Sequence, residues 1–158
     1  GETPLMDSSL IYRYINENYQ EFEEKLRKYG VRYRRVLPSE DDKESPLGRS
    51  WKNTYNVESK DELEDILDYK KGVEYSWLDG NNLEVISDIL PAIFYNEETN
   101  EHEFFNSIIA AYEGWEDSRN NRLESIIYGN GNKMDFEVLD DISKFIEDKK
   151  NKLELVRR

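Results

Sequence analysis

Few residues in this chain could do acid–base, nucleophilic or metal chemistry. The sequence contains one histidine, His102, and no cysteine. Serine–histidine catalysis would therefore have to use His102, and the chain cannot form a two-histidine metal site by itself. His102 belongs to the polar stretch 96–103 and has four glutamates around it. This pattern predicts an exposed turn in which the imidazole is solvated and does not bind a metal.

Three other motifs suggest chemistry but are better explained by ordinary structure. The stretch 129–134 starts like a dinucleotide-binding glycine motif, but it lacks the third glycine and follows a predicted helix, so we interpret it as a turn. The stretch 79–84 resembles a calcium loop, but Leu83 replaces an oxygen ligand, which favours a hairpin turn. Acidic residues in 58–68 surround a predicted helix start, where a solvated acidic face is common. We therefore assign no catalytic residue and no metal ligand to this chain.

Size, charge and composition limit the class of protein. A chain of 158 residues fits one domain, and we expect 1–158 to be a single domain. The net charge of −13 is the opposite of what nucleic-acid binding requires, so we expect no nucleic-acid partner. No segment is long and apolar enough to span a bilayer, and no signal pattern is present, so we expect no membrane association and a cytoplasmic location. Eleven tyrosines, six phenylalanines and three tryptophans provide material for a core.

The hydrophobic spacing predicts several helices. One bent helix or two consecutive helices cover about 9–29, with Ser8 or Ser9 as the cap and Gly30 at the end. A second helix begins at Ser59, where Glu62 completes a capping box, and Gly72 stops it. A short helix is predicted over 117–128, followed by a glycine turn, and a final helix begins at Asp135.

Alternating and β-branched residues predict strands between these helices. The first has arginines interleaved with apolar residues, which indicates one solvated face, and a polar loop over 38–49 follows it. Two hairpins are predicted, one around the Asp79-Gly80 turn and one around the turn after Tyr95. A closing strand ends the chain. The predicted strands are Val31–Leu37, 73–77, 83–85, 92–95, 103–108 and 153–158.

Five segments, 1–8, 30–33, 77–83, 90–106 and 128–139, each carry a short motif, and their order along the chain resembles that of the taurine dioxygenase family, the TauD/TfdA-like Fe(II)/2-oxoglutarate-dependent oxygenases. Each one is weak by itself, but together they extend over most of the chain. The segment 1–8 resembles the family's GGETP-x-x-DS stretch, 30–33 its GVRY strand, 77–83 its W-x-x-(D)G-x-L pattern, 90–106 its PA-x-x-HP-x-TGE-x-x-FFN block, and 128–139 its YGDG-x-x-x-x-EVL block.

The resemblance implies a fold, cofactors and site residues. It implies an α+β fold, with part of a double-stranded β-helix (jelly roll) and helical insertions. The parent enzyme would use Fe(II) and 2-oxoglutarate to hydroxylate a small amino-acid-like substrate. The threonine that binds a 2-oxoglutarate carboxylate in the family corresponds to Thr3, for which the alternative is a terminal residue without a role. Phe104 and Asn106 would lie on one strand face and line the substrate pocket, or else be a core phenylalanine and a strand-end asparagine.

The segments that resemble the family do not include its metal-binding residues. The family's H-x-D/E pair would lie before Gly1, and its distal histidine and arginine would lie after Arg158. We therefore expect the chain alone to bind no cofactor and to be inactive. The alternative is a non-catalytic acidic module that binds a protein. We expect pairing with a second copy or a companion chain through open strand edges, which we place at Val31–Leu37, 104–108 or 153–158. The alternative is that helices such as 135–150 fold over the edge and leave a monomer.

Overall fold

The computed structural model describes residues 7–157, in which helices and antiparallel strands alternate along the chain. The α+β class predicted from the sequence is confirmed, whereas the double-stranded β-helix remains a prediction. The elements are α1 Ser8–Asn18, α2 Gln20–Tyr29, β1 Val31–Leu37, α3 Trp51–Tyr55, α4 Lys60–Asp68, β2 Glu74–Leu78, β3 Asn82–Ile86, β4 Ile93–Asn96, β5 Glu101–Phe104, α5 Ser107–Gly114, β6 Ile126–Tyr128 and α6 Phe136–Arg157.

Four of the strands form an antiparallel sheet in the order β2-β3-β1-β6, and β4 and β5 form a separate hairpin. In the sheet Arg35 is opposite Val85, and Leu37 is opposite Leu83. At the other end of β1, Val31 is opposite Tyr128. The strand Val31–Leu37 is therefore interior, and the prediction that it is an open edge is wrong. Among the strands described, β2 and β6 are the outer strands of this sheet.

One face of this sheet is covered by two separate groups of helices. Alternate residues of β1 point to that face, because successive side chains of a strand point to opposite sides. Val31 packs in a large cluster with α1, α2, α5 and α6, and Leu37 packs in a small cluster with α3 and α4. Tyr33 and Arg35 lie between them. The buried core of the small cluster is Leu37, Trp51, Val57, Leu63, Leu67 and Leu83.

The N-terminal helices follow the predicted periodicity. They are two consecutive helices joined at Tyr19, and they bury Ile11, Ile15 and Leu26. The predicted cap is wrong, because the Asp7 carboxylate accepts the Ser9 backbone N–H at 2.9 Å and caps α1 instead of a serine.

Gly30 ends α2, as predicted, with a left-handed φ of 65°. A Cβ at Gly30 would lie 2.7 Å from the Leu90 carbonyl oxygen, so both the conformation and the space require glycine.

Two of the predicted features of the small cluster are confirmed, and one is wrong. The Ser59 hydroxyl accepts the Glu62 N–H at 3.2 Å and caps α4, and the hairpin β2–β3 turns through Asp79–Asn81. The helix ends at Asp68, four residues before Gly72, which was predicted to stop it. Gly72 instead lies in the turn that leads to β2.

The predicted strand 103–108 is wrong after Phe104. Strand β5 ends at Phe104, Asn106 has helical angles (φ −64°, ψ −21°), and α5 begins at Ser107. The residues after Asn106 bury Ile108, Ile109 and Tyr112, a helical spacing that packs into the large cluster. Because the strand has already ended, Phe104 and Asn106 do not share a strand face.

The predicted helix over 117–128 is also wrong. The Asp117 carboxylate accepts the backbone N–H groups of Arg119 and Asn120, both at 2.8 Å, and this local bonding competes with helix formation. The Asn120 side chain then exchanges hydrogen bonds with the backbone of Val36, at 2.7 and 3.0 Å. Strand β6 is only three residues long, so it pairs with only part of β1. Beyond the end of β6, the Asn120 side chain supplies hydrogen bonds to the backbone of β1.

The final helix is longer than predicted. The helix α6 continues to Arg157, so the closing strand over 153–158 and its open edge are wrong for the residues described. Its last turns leave the core, and Leu155 and Val156 are 69% and 85% exposed. No helix within residues 7–157 is both long and apolar enough to cross a membrane.

Candidate functional site

Of the residues predicted to bind ligands, Asn106 lies beside the start of the described chain. Its side-chain N–H donates to the Ser8 hydroxyl at 3.2 Å, so the beginnings of α1 and α5 are adjacent. Thr3, predicted to bind 2-oxoglutarate, lies outside the described residues, five positions before Ser8 in the sequence. Asn106 is exposed and can reach a ligand at this corner.

Phe104 is placed differently. Its side chain is fully buried in the large cluster, which corresponds to the core alternative considered for it. Phe104 therefore lies in the core at the end of strand β5, whereas Asn106, two residues later, lies at the surface. No contact with a ligand tests the substrate-binding role of either residue, and both roles remain predictions.

The prediction that His102 lies in an exposed turn is wrong. His102 lies in strand β5, opposite Tyr95. Its ring is 5.2 Å from the Tyr12 ring and 5.1 Å from the Tyr95 ring, and it is only partly exposed. Across residues 7–157, no three histidine, aspartate or glutamate side chains come together in a way that could hold a metal ion. These residues therefore do not fit an Fe(II) site.

A second group of candidate residues lies where the two hydrophobic clusters meet. We call it the seam and define it as Tyr33, Arg35, Tyr55 and Trp115. Trp115 and Tyr33 belong to the edge of the large cluster and Tyr55 to that of the small one. Arg35 projects from β1 between them, and its guanidinium carbon lies 5.9 Å from the centre of the Trp115 ring. All four residues are partly exposed.

The Arg35 guanidinium is poorly satisfied. Its Nη2 reaches the Leu47 carbonyl only at 3.5 Å, the upper limit for a hydrogen bond. Its Nε is buried and has no acceptor in the part of the chain that the structure describes. A buried donor without an acceptor costs about 1–3 kcal/mol. The positive charge of Arg35 acts on Tyr55 nearby. Burial raises the pKa of Tyr55, and the Arg35 charge opposes part of this rise.

Tyr33 connects the seam to the corner at Asn106. Its hydroxyl is 2.9 Å from the hydroxyl of Ser107, the residue after Asn106, and its ring is 5.8 Å from the Trp115 ring. Burial raises the pKa of Tyr33, and the hydrogen bond with Ser107 opposes this rise. The seam and the Asn106 corner therefore form one connected surface between β1 and α5.

The sequence interpretation missed the distinction between the arginines of β1, which it assigned together to a solvated face. Arg34 and Arg35 are consecutive, and consecutive strand residues point to opposite faces. One of the two therefore had to enter the covered face, and this adjacency was the available signal.

A carboxylate of α6 shows a contrasting arrangement, in which it accepts two hydrogen bonds from side chains of the protein. Asp141 accepts hydrogen bonds from the hydroxyls of both Tyr14, at 2.6 Å, and Tyr19. These bonds lower the pKa of Asp141, and the bond to Asp141 raises the pKa of Tyr14 to about 12. The cluster joins α6 to the first two helices and uses its hydrogen-bonding groups internally, so we interpret it as structural.

The architecture defines an antiparallel α+β protein without its own metal centre in the residues described. The chain is similar to a clavaminate synthase-like protein of Arabidopsis thaliana, with 33% identity over 148 residues. This alignment covers 94% of the present chain and 44% of the relative, so the chain spans less than half the length of the protein it matches. No protein-family model matches the chain. The similarity agrees with the oxygenase resemblance in a broad sense but does not single out the taurine dioxygenase family.

Proposed function

We propose that this chain is part of an Fe(II)- and 2-oxoglutarate-dependent oxygenase of the TauD/TfdA type, which hydroxylates a small amino-acid-like substrate. The observation that carries the proposal is the 33% identity to a clavaminate synthase-like protein over nearly the whole chain. The two cofactors are those that the resemblance to the TauD/TfdA-like oxygenases implies. The ordered motifs from 1–8 to 128–139 support the same assignment.

The chain would contribute a scaffold and a substrate-side surface to that enzyme. We propose that the sheet β2-β3-β1-β6 and the hairpin β4–β5 are strands of a partial double-stranded β-helix, and that 1–158 belongs to one domain. The residues described do not fit an iron site, so other parts of the protein would have to supply the metal ligands. Of this chain's residues, Thr3 would bind a 2-oxoglutarate carboxylate and Asn106 the substrate, with Phe104 fixing the strand that precedes Asn106.

The test is turnover by the polypeptide that contains this chain together with its flanking sequence. We expect it to form succinate from 2-oxoglutarate only when Fe(II) and oxygen are both present, with amino acids as the first substrates to screen. Thr3→Ala should raise the KM for 2-oxoglutarate about tenfold, and Thr3→Ser should restore it, because a hydroxyl donor suffices.

A matched pair tests Asn106. Ser8→Ala and Asn106→Ala remove the same hydrogen bond between α1 and α5, but only the second removes an exposed amide from the corner. We expect Asn106→Ala to raise the KM for the amino-acid substrate while Ser8→Ala leaves it unchanged. Absence of 2-oxoglutarate turnover in a folded, iron-loaded protein would contradict the proposal and favour the acidic binding module.

A further inference from the structure

Strand β1 carries three arginines, and two of them have carboxylate partners. Arg34 is bound to Glu84, with a 2.9 Å hydrogen bond from Nε, and also lies near Glu124. Arg32 lies 3.4 Å from Glu74 and donates to two backbone carbonyls. These two side chains point to the face opposite the helices. Arg35, on the covered face, forms no ion pair within the part of the chain that the structure describes.

The lack of a partner does not follow from a shortage of carboxylates. The sequence has 35 acidic residues and a net charge of −13, and six of its 22 lysines and arginines form ion pairs among the residues described. Arg119 is the useful comparison, because its Nε is also buried without an acceptor. Its Nη2, however, lies 3.0 Å from both Asp42 and Asp117, which neutralise its charge. Arg35 combines the same buried Nε with an unneutralised guanidinium.

The surroundings of Arg35 match the parts of a small organic acid. The Trp115 ring lies beside the guanidinium and supplies an aromatic wall, and the guanidinium supplies one positive charge with parallel N–H donors. Tyr55 lies close enough for the Arg35 charge to act on its pKa, and the Lys70 ammonium lies 5.7 Å from the centre of the Tyr55 ring. A single arginine complements a singly charged carboxylate. A phosphate would call for more donors or a second cation. Arg35 is partly exposed although its Nε is closed off, so a ligand can approach its terminal nitrogens.

We propose that Arg35 binds the carboxylate of a small organic acid whose apolar body packs against Trp115 and Tyr55. The proposal rests on the contacts of the seam and does not depend on the oxygenase assignment. An amino acid or an aromatic acid has the required chemistry. Arg35 is the charge-binding residue, and Trp115 and Tyr55 are the walls that select a carboxylate attached to an apolar group.

The probe is sodium benzoate, titrated into the 158-residue chain at constant ionic strength, with neutral benzamide and inorganic phosphate as comparisons. Calorimetry gives the affinity, and the ¹H–¹⁵N resonance of the Arg35 Nε–H locates the ligand. We expect saturable benzoate binding that shifts this resonance and exceeds the binding of benzamide or phosphate. Arg35→Gln should weaken benzoate binding at least tenfold. Arg34→Gln, which removes the same charge from the opposite face, should change it less than twofold.

Two further variants keep the test decisive. Arg35→Lys retains the charge without the planar fork and should bind with intermediate affinity, which also covers the case in which Arg35→Gln fails to fold. Glu2→Gln removes the one carboxylate side chain among residues 1–6 and should leave the affinity unchanged. Equal responses of the Arg34 and Arg35 resonances, equal binding of benzamide, tighter binding of phosphate, or stronger benzoate binding by Glu2→Gln would each overturn the proposal.

Discussion

Asp141 on α6 and Arg35 in the seam are both partly buried charges, but they differ in the hydrogen-bond partners that the protein provides. Two tyrosine hydroxyls from α1 and the α1–α2 junction donate to the Asp141 carboxylate. Arg35 lies beside the Trp115 ring with one marginal hydrogen bond and no carboxylate among the residues described. A charge with all its partners inside the protein holds elements together, whereas a charge without them costs stability and remains available to a ligand.

The comparison extends to the rest of the large cluster. The hydroxyls of Tyr112 and Tyr128 donate to Asp140 and Asp135, so tyrosine–carboxylate pairs recur along α6 and the turn before it. In the small cluster the indole N–H of Trp51 donates to the Asn81 carbonyl and that of Trp77 to Glu64. These polar groups on both sides of the seam are satisfied, whereas the Ser143 hydroxyl and the Arg119 Nε are, like the Arg35 Nε, buried without a partner among the residues described.

The largest effect is expected from Asp141→Asn, which breaks the satisfied side of the comparison. The amide keeps the shape but loses the charge that strengthens two hydrogen bonds, so we expect a loss of about 1–2 kcal/mol in the free energy of unfolding. Urea unfolding followed by circular dichroism measures it. Glu147→Gln, an exposed change on the same helix, is the control and should cost less than about 0.5 kcal/mol. A single transition in each protein would also support one domain.

The pH dependence of stability should change in the same variant. The folded-state pKa of Asp141 is lowered, so its contribution is present above the ordinary carboxylate pKa and lost as the pH falls through the lower folded value. The pKa of Tyr14 is raised to about 12, so its contribution is present below pH 10 and lost between about 10 and 12. In Asp141→Asn the free energy of unfolding should depend less on pH in both of these ranges. An unchanged pH dependence would show that other groups dominate it.

The next effect compares the two adjacent arginines directly. Arg34→Gln removes the ion pair with Glu84, in which both side chains are about one-fifth exposed, and should destabilise the protein by about 1 kcal/mol. Arg35→Gln removes an uncompensated cation and one cation–π contact, and we expect the stability to stay within about 0.5 kcal/mol of the parent. Thermal unfolding at one pH measures both. A larger loss for Arg35→Gln would mean that Arg35 is mainly a structural residue.

The sequence predicts the local elements well where one physical rule dominates. The helical spacing of α1 and α2, the helix cap at Ser59 and the Asp79-Gly80 turn all lead to the correct structure, although the Glu62 carboxylate accepts the Glu58 N–H and not the Ser59 N–H of a full capping box. The errors occur where rules compete. Phe104, Phe105 and Asn106 suggest a strand, but the apolar spacing after Asn106 buries a helix. In 117–128 the Asp117 side chain bonds to the local backbone, and this bonding replaces a helix.

The site could be predicted only in part, because its pairing is a tertiary property. Alternation indicates that Arg34 and Arg35 point to opposite faces, but it does not indicate which face the helices cover. Nor does it show that Trp115, eighty residues later, lies beside Arg35. The motifs place Asn106 in a functional block, whereas its contact with Ser8 depends on α1 and α5 meeting in the fold.

The smallest effect concerns the sheet edge, and it tests the proposed self-association. The turn after β6 bonds back to it, with the Tyr128 N–H donating to the Asn132 carbonyl at 2.9 Å, which leaves β2 as the more open outer strand of the described sheet. We expect weak dimers through β2. The charge of −13 opposes them, so light scattering during size exclusion should show a higher mean mass at high salt than at low salt. Ser76→Lys should suppress the dimer because an edge lysine blocks strand pairing, whereas Asn16→Lys makes the same charge change on α1 and should not. A monomeric mass at both salt concentrations would show that this edge stays unpaired even when the net charge is screened, and it would contradict the proposal.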